Sequence, residues 1–244
     1  MRSKPKLAGT LGSVERPVHP KCSREFADGT KEWWYKGKLH RTDGPAVIRP
    51  SGTQEWWFEG KHHRTDGPAT IWTNGTKEWW VNDQLHRTDG PAYEWADGEK
   101  EWWVDGKRHR TDGPARIGAD GSQSWWFEGK RHRTDGPASI EACGDQAWCV
   151  NDQLHREDGP AVVYASGACL WYINGKQHRI DGPAVIRPKG TQEWWVDGKR
   201  HRTDGPAVIK ASGAQAWWVN GNKVTDTLTI MLLNNSNCPR KNVL

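Results

Sequence analysis

Apolar and polar positions along the chain recur in short bursts. Runs such as Glu32-Trp33-Trp34-Tyr35 and Ala46-Val47-Ile48-Arg49 are rich in aromatic or β-branched side chains and end at glycine-bearing turns. They are too brief for helices and read as strands. The burst returns every 23 residues without insertion or deletion, at Glu32, Glu55, Glu78, Glu101, Ser124, Ala147, Leu170 and Glu193. Eight full units therefore occupy 32–215, after a half unit at 25–31 and before a partial ninth from Ala216. Self-similarity at such a period marks a repeat architecture.

The turn residues sit at fixed offsets. The first turn is Lys36-Gly37, Glu59-Gly60, Asp105-Gly106 or an equivalent pair, with Asn82-Asp83 and Asn151-Asp152 as variants. These residues tolerate the positive φ that tight hairpins demand. A second turn follows at Ser51-Gly52, Asn74-Gly75, Asp97-Gly98 and their equivalents. Asp-Gly-Pro-Ala, as at 43–46, joins a flexible glycine to a proline lacking an N–H and reads as a bend entering the second strand.

Two strands per unit predict an all-β fold, an elongated single-layer antiparallel β-meander rod or solenoid of hairpin repeats. Each unit adds ~9.6 Å at the usual strand spacing, so eight units span roughly 77 Å. Each unit touches only its neighbours, and the ends need caps. The chain then divides into a flexible basic tail (1–24), the array (25–226) and a C-terminal cap and tail (227–244), the cap being a strand or short helix from Thr227.

Composition changes one expectation. Leu, Ile, Val and Phe together fall below the roughly 20% at which disorder becomes the default. However, the formal charge of +5 is too small to hold the chain apart, and 18 Trp supply apolar area instead. An ordered chain with an indole-built core is expected. No apolar run approaches transmembrane length and the start has no apolar signal region, so a cytoplasmic address (host cytoplasm or virion, if viral) is expected.

The segments Trp34 to His40 and Trp103 to His109 resemble the W-x-x-G-K-x-H core of the MORN repeats, a family of the same repeat length. Where that family has Gly-x-Gly after His, Arg110 to Ala115 reads Arg-Thr-Asp-Gly-Pro-Ala, and a second Trp replaces its Tyr-x-Gly. This variant form is similar to uncharacterised HRxDGPA arrays of large DNA viruses and bacteriophages. The resemblance implies an elongated β-rod used for scaffolding, self-association or attachment to a membrane surface.

A leading Trp opens all nine copies, at 33, 56, 79, 102, 125, 148, 171, 194 and 217, and its neighbour is Trp except at Cys149 and Tyr172. Adjacent strand residues point to opposite faces. One ladder is thus expected inside and the other on the second face. Both ladders can serve as core and turn cover. Alternatively, the second (Trp34, Trp57, Trp80, Trp103, Trp126, Trp195 and Trp218) is a stacking platform, working with Arg41, Arg64, Arg87, Arg110, Arg133, Arg156, Arg179 and Arg202. These two ladders form the candidate interaction surface.

His40 and its equivalents to His201 form another ladder. Two nitrogens on one zinc lie only about 3.5 Å apart, against the ~9.6 Å between units, so no metal and no cofactor are expected. Instead His packs on Trp and hydrogen-bonds a turn carbonyl, while Arg pairs with Asp or stacks on an indole. His-Arg-Thr-Asp superficially resembles a kinase catalytic loop, but it recurs in most units without a phosphate loop. No feature of the array is singular, and no catalytic residue is expected. Cys22, Cys143, Cys149, Cys169 and Cys238 have no repeat spacing and are expected reduced.

Charge bears on partners. The +5 resides in the flanking segments, and the third unit (78–100) is net acidic, which would interrupt the basic track that nucleic-acid binding needs. The basic tail could contact an anionic membrane surface. Phe58-Glu59-Gly60 and Val81-Asn82-Asp83 recur as Phe127-Glu128-Gly129 and Val150-Asn151-Asp152, a duplicated block that suits a protein whose length or valency matters. The expected function is a non-catalytic scaffold binding a protein partner, or a second copy, through its repeated surface. A small-ligand binder for nucleotides or sugars, using the aromatic and Arg ladders, is the alternative.

Overall fold

The structure, a computed structural model, describes residues 24–235. It is all-β save for one helix, Thr227–Asn235. A 19-stranded antiparallel sheet runs the length of the array, and eight separate two-stranded hairpins lie beside it. Strands of the main sheet pair in chain order. Arg24–Glu25 meets Lys31–Glu32, which meets Val47–Ile48, then Gln54–Glu55 and Thr70–Ile71. The single-layer meander is therefore as the repeat predicts.

In the eight full units the expected first strand is divided at the leading Trp, whereas Gln215–Val219 runs unbroken through Trp217. Lys31–Glu32 belongs to the main sheet, whereas Trp34–Tyr35 pairs with Lys38–Leu39 in a hairpin. The returning strand at Lys38–Leu39 has no apolar run to announce it. Turn chemistry fixes it instead, since Lys36 and Gly37 have φ of 46° and 75°, both positive as a type I′ turn requires. Hairpins are also stitched to one another, Arg41 N donating to Trp57 O at 3.1 Å and Gly60 N to Leu39 O at 2.8 Å. The second turn is a three-residue loop in which Gly52 N donates to Arg49 O and Arg49 N to Thr53 O. Residues 42–44 bend, as expected for Asp-Gly-Pro-Ala.

The core is not built of indoles. The fully buried residues are the alanines of the Asp-Gly-Pro-Ala bends, Ala46, Ala69, Ala92, Ala115, Ala138, Ala161, Ala184 and Ala207. Val47, Thr70, Val185 and Val208 are buried beside them, with Glu55, Glu78, Glu101 and Glu193. A single-layer sheet has no second layer under which a Trp can disappear. Among the leading indoles only Trp33 is buried, and most of the others are half-buried. The innermost positions are those where the chain crosses between sheet and hairpin row, and only a methyl group fits there. Trp33 N donates to Ala46 O at 2.8 Å across this crossing.

The segment expected as a cap from Thr227 forms the helix. Asp226 caps it, accepting from Thr229 N at 2.7 Å through Oδ1. Among the described residues no helix is long and apolar enough to cross a membrane. The basic segment expected over 1–24 lies, Arg24 apart, outside the described residues, as do Cys22, Cys238 and the tail from 236. Cys143 is exposed, Cys149 buried and Cys169 half-buried, all with free thiols. Burial pushes the Cys149 thiol pKa up.

Candidate functional site

The Arg ladder is locked in place by its own loop. The Arg64 guanidinium lies 4.1 Å from the Trp56 ring centroid, within cation–π reach. Its Nε donates to Asp66 Oδ1 at 2.8 Å and its Nη1 to Pro68 O at 3.2 Å. The other face rests on Gly67, where a Cβ would lie 3.0 Å from the guanidinium carbon, so a larger residue would press the Arg out of its present position. The clamp recurs as Arg41 on Trp33, Arg87 on Trp79, Arg110 on Trp102 and Arg133 on Trp125. Arg156 on Trp148, Arg179 on Trp171 and Arg202 on Trp194 complete it. Hydrogen bonds from Arg64, then its charge, hold the Asp66 carboxyl below the usual carboxylate range.

The structure thus brings the Arg ladder to the leading Trp and not to the second one. The second ladder is on the opposite face and is stitched to the residue two positions earlier. Trp34, Trp80 and Trp103 donate through Nε1 to Glu32, Glu78 and Glu101 at 2.8 Å, and Trp57 and Trp195 to Glu55 and Glu193 at 3.2 Å. Trp126 uses Ser124 Oγ at 2.8 Å. Side chains from the returning strand interleave these indoles. Arg108 lies 5.1 Å from Trp103 and 5.2 Å from Trp126, and Arg200 lies 4.9 Å from Trp195 and 5.3 Å from Trp218. His62 fills the same place between Trp57 and Trp80.

The His ladder meets the turn of the next unit in two ways. Nδ1 of His63 and His132 lies 3.1 Å from the side-chain carbonyl of the turn residues Asn82 and Asn151, and Nδ1 of His86 and His178 lies 2.9 and 3.0 Å from the Asp105 and Asp197 carboxylates. His40 Nδ1 accepts from Glu59 N in the next unit at 3.1 Å, and His109, His155 and His201 take Glu128, Asn174 and Asn220 likewise. The amide is available because the type I′ turn leaves it pointing outward. An imidazole that accepts at Nδ1 carries its proton on Nε2. The ring also packs on the residue two after the leading Trp, with His40 to Phe58 at 4.6 Å and His109 to Phe127 at 4.8 Å.

These parts surround a row of clefts between successive Arg-Thr-Asp-Gly loops. One of about 630 Å³ lies between the loops of Arg41 and Arg64 and is floored by Trp56, Phe58 and His63. Another of about 590 Å³ lies between those of Arg110 and Arg133, over Trp125, Phe127 and His132. Clefts over Trp79, Trp148 and Trp194 repeat the arrangement. Each has one Arg–Asp pair on either wall, so its formal charge is near zero, except over Trp148, where Glu157 adds a negative charge.

The sequence reading missed two sets of residues. The first is the acceptor two before the second Trp; its signal was a Glu recurring at that offset. The second is the residue two after the leading Trp: Tyr35, Phe58, Val81, Val104, Phe127, Val150, Ile173, Val196 and Val219. It is apolar in every copy, yet exposed or half-exposed throughout. No protein-family model matches the chain, and a search of curated proteins finds no significant match.

Proposed function

We propose that the chain is a non-catalytic, MORN-like binding scaffold that holds a protein partner along the face carrying the clefts. The observation that carries this reading is the apolar strip from Tyr35 to Val219. Scattered exposed apolar residues need no explanation, but a strip written in every repeat does. Tyr35, Phe58 and Phe127 are 54%, 41% and 44% exposed. A core role would have placed them inside, and a purely solvated role would have allowed polar residues somewhere in nine copies. The clefts are equivalent to one another, which suits additive contacts along a rod better than a reaction at one place.

The test compares two triple variants in recovery of partners from the native host. Phe58→Asn with Phe127→Asn and Ile173→Asn alters the strip, while Lys31→Ser with Lys77→Ser and Lys100→Ser alters exposed lysines of the main sheet. Recovery of specific proteins should fall at least tenfold for the strip variant and hold for the lysine variant. Undiminished recovery by a strip variant with native circular dichroism would remove the proposal.

A further inference from the structure

We infer that the strip binds an extended polypeptide in polyproline II conformation with an apolar residue at every third position. This rests on the partner-binding reading and adds the conformation and sequence period of the bound segment. The first ground is register. Successive clefts are ~9.6 Å apart, two strand spacings of the main sheet. A polyproline II helix has three residues per turn and rises ~3.1 Å per residue, so side chains on one of its faces recur at ~9.3 Å. The mismatch is ~0.3 Å per step and only ~2.1 Å over the seven intervals between the eight Arg loops, small beside clefts of this size. An α-helix returns a side chain after two turns at ~10.8 Å and drifts roughly 1.2 Å per cleft. A β-strand repeats one face at ~6.6 Å and ~13 Å, missing the pitch in both directions.

The second ground is the floor. Rings step along it from Tyr35 to His40 at 5.5 Å, to Phe58 at 4.6 Å and to His63 at 5.8 Å. Apolar residues and imidazoles alternate in this way down the array, forming a shallow track rather than isolated holes. The third ground is hydrogen bonding. Polyproline II makes no internal hydrogen bonds, so its carbonyls need donors. His Nε2–H supplies one in the clefts over Trp148 and Trp194, where Nδ1 of His155 and His201 accepts a turn amide. The Arg64 guanidinium uses only Nε and Nη1 among the described residues and keeps further N–H groups for a ligand. Charge agrees, because paired Arg and Asp leave the track neutral, or acidic at Glu157, and give a polyanion no advantage.

The test uses the full chain and fluorescently labelled peptides. One carries about six Pro-Pro-Leu triplets, one has the same composition with the leucines moved off the three-residue period, and one carries about two triplets. Fluorescence anisotropy should show the long periodic peptide binding at least tenfold more tightly than either of the others. The Phe58→Asn, Phe127→Asn, Ile173→Asn variant should lose that advantage. Equal binding of the three peptides, or no binding, would overturn the inference. If host proteins are still lost from the strip variant, the partner-binding reading survives that failure. Sedimentation of the chain alone provides a further check, since a dimer broken by the strip variant would put a second copy on the track and overturn the inference.

Discussion

Trp80 in its hairpin and Glu78 in the main sheet lie two residues apart, and the indole Nε1 donates to Glu78 Oε2 at 2.8 Å. The same pair recurs wherever an acceptor precedes the second Trp. In the two units without one, where Ala147 and Leu170 replace Glu, the Trp itself is replaced by Cys149 and Tyr172. An indole N–H taken from water needs a partner, so the two positions vary together within one chain. The ninth copy departs from this rule. Ala216 precedes Trp218, whose Nε1 is buried without a hydrogen-bond partner.

Ala216→Glu should therefore stabilise the C-terminal end. Val208 faces Glu193 on one side and Ala216 on the other, whereas Val47 has Glu32 and Glu55 on its two sides. The substitution restores the commoner arrangement and satisfies Trp218 for a gain of about 1 kcal/mol. Urea unfolding gives the total, and hydrogen exchange over 215–224 should locate the gain in the last hairpin. Unchanged protection there would disprove the orphaned indole as a weak point.

A coupled substitution tests the pairing directly. Cys149→Trp alone adds an indole whose N–H has no acceptor at Ala147, and Ala147→Glu alone buries a carboxylate without its indole. Together they recreate the pair seen at Glu101 and Trp103. A double-mutant cycle should return a favourable coupling of about 1–2 kcal/mol. Additive effects would mean that the two positions vary independently.

Repeat length, turn positions and the meander were legible in the sequence because backbone chirality at Lys36-Gly37 and Gly52 dictates residue type. The hairpin return at Lys38–Leu39 was not, since its stability comes from the turn and the neighbouring hairpin rather than from apolar residues. The location of the core was also misjudged. Trp content measures apolar area but not depth, and in one layer depth goes to Ala46 and its equivalents. The Arg ladder was identified with both of its expected contacts, Asp and an indole, but not with the right indole ladder. Its indole belongs to the leading Trp because Trp33 and Trp34 point to opposite faces, and nothing in the sequence says which face the Arg loop folds over.

The Arg clamp makes Arg and Lys unequal. In Arg64→Lys an ammonium keeps the charge but loses the planar stack between Trp56 and Gly67 and the paired donation to Asp66 and Pro68. A cost of about 1 kcal/mol is expected, with Arg64→Ala costing somewhat more. Gly67→Ala should mimic the loss by lifting the guanidinium off the ring. Indole fluorescence and hydrogen exchange of the second unit would record all three; a Lys variant as protected as the parent would refute the stacking role.

Stability should vary with pH at both extremes and for opposite reasons. Hydrogen bonds from Arg64, Arg87, Arg110, Arg133, Arg156 and Arg179, followed by their charge, lower the pKa of Asp66, Asp89, Asp112, Asp135, Asp158 and Asp181. Burial would raise that of Glu55, but the nearby His62 imidazole, 3.7 Å away, and donation from Arg49 and Trp57 outweigh it and the net shift is downward. Unfolded carboxyls of these types titrate near 4, so below about pH 5 the unfolded chain binds more protons. The contribution is full above that range and is lost as pH falls through the lower folded values. Tyr93 does the reverse. Burial first, then its hydrogen bond to Glu78 and the charges of Glu78 and Glu101, push its phenol up to about 12. Its contribution is complete below about pH 10, the unfolded value, and disappears as pH rises toward 12. Tyrosinate absorbance of the chain minus that of Tyr93→Phe should isolate a group ionising near 12, and Glu78→Gln should bring it down. A difference curve centred near 10 would mean that Tyr93 is not held against Glu78, and the buried acceptor ladder would lose one of its anchors.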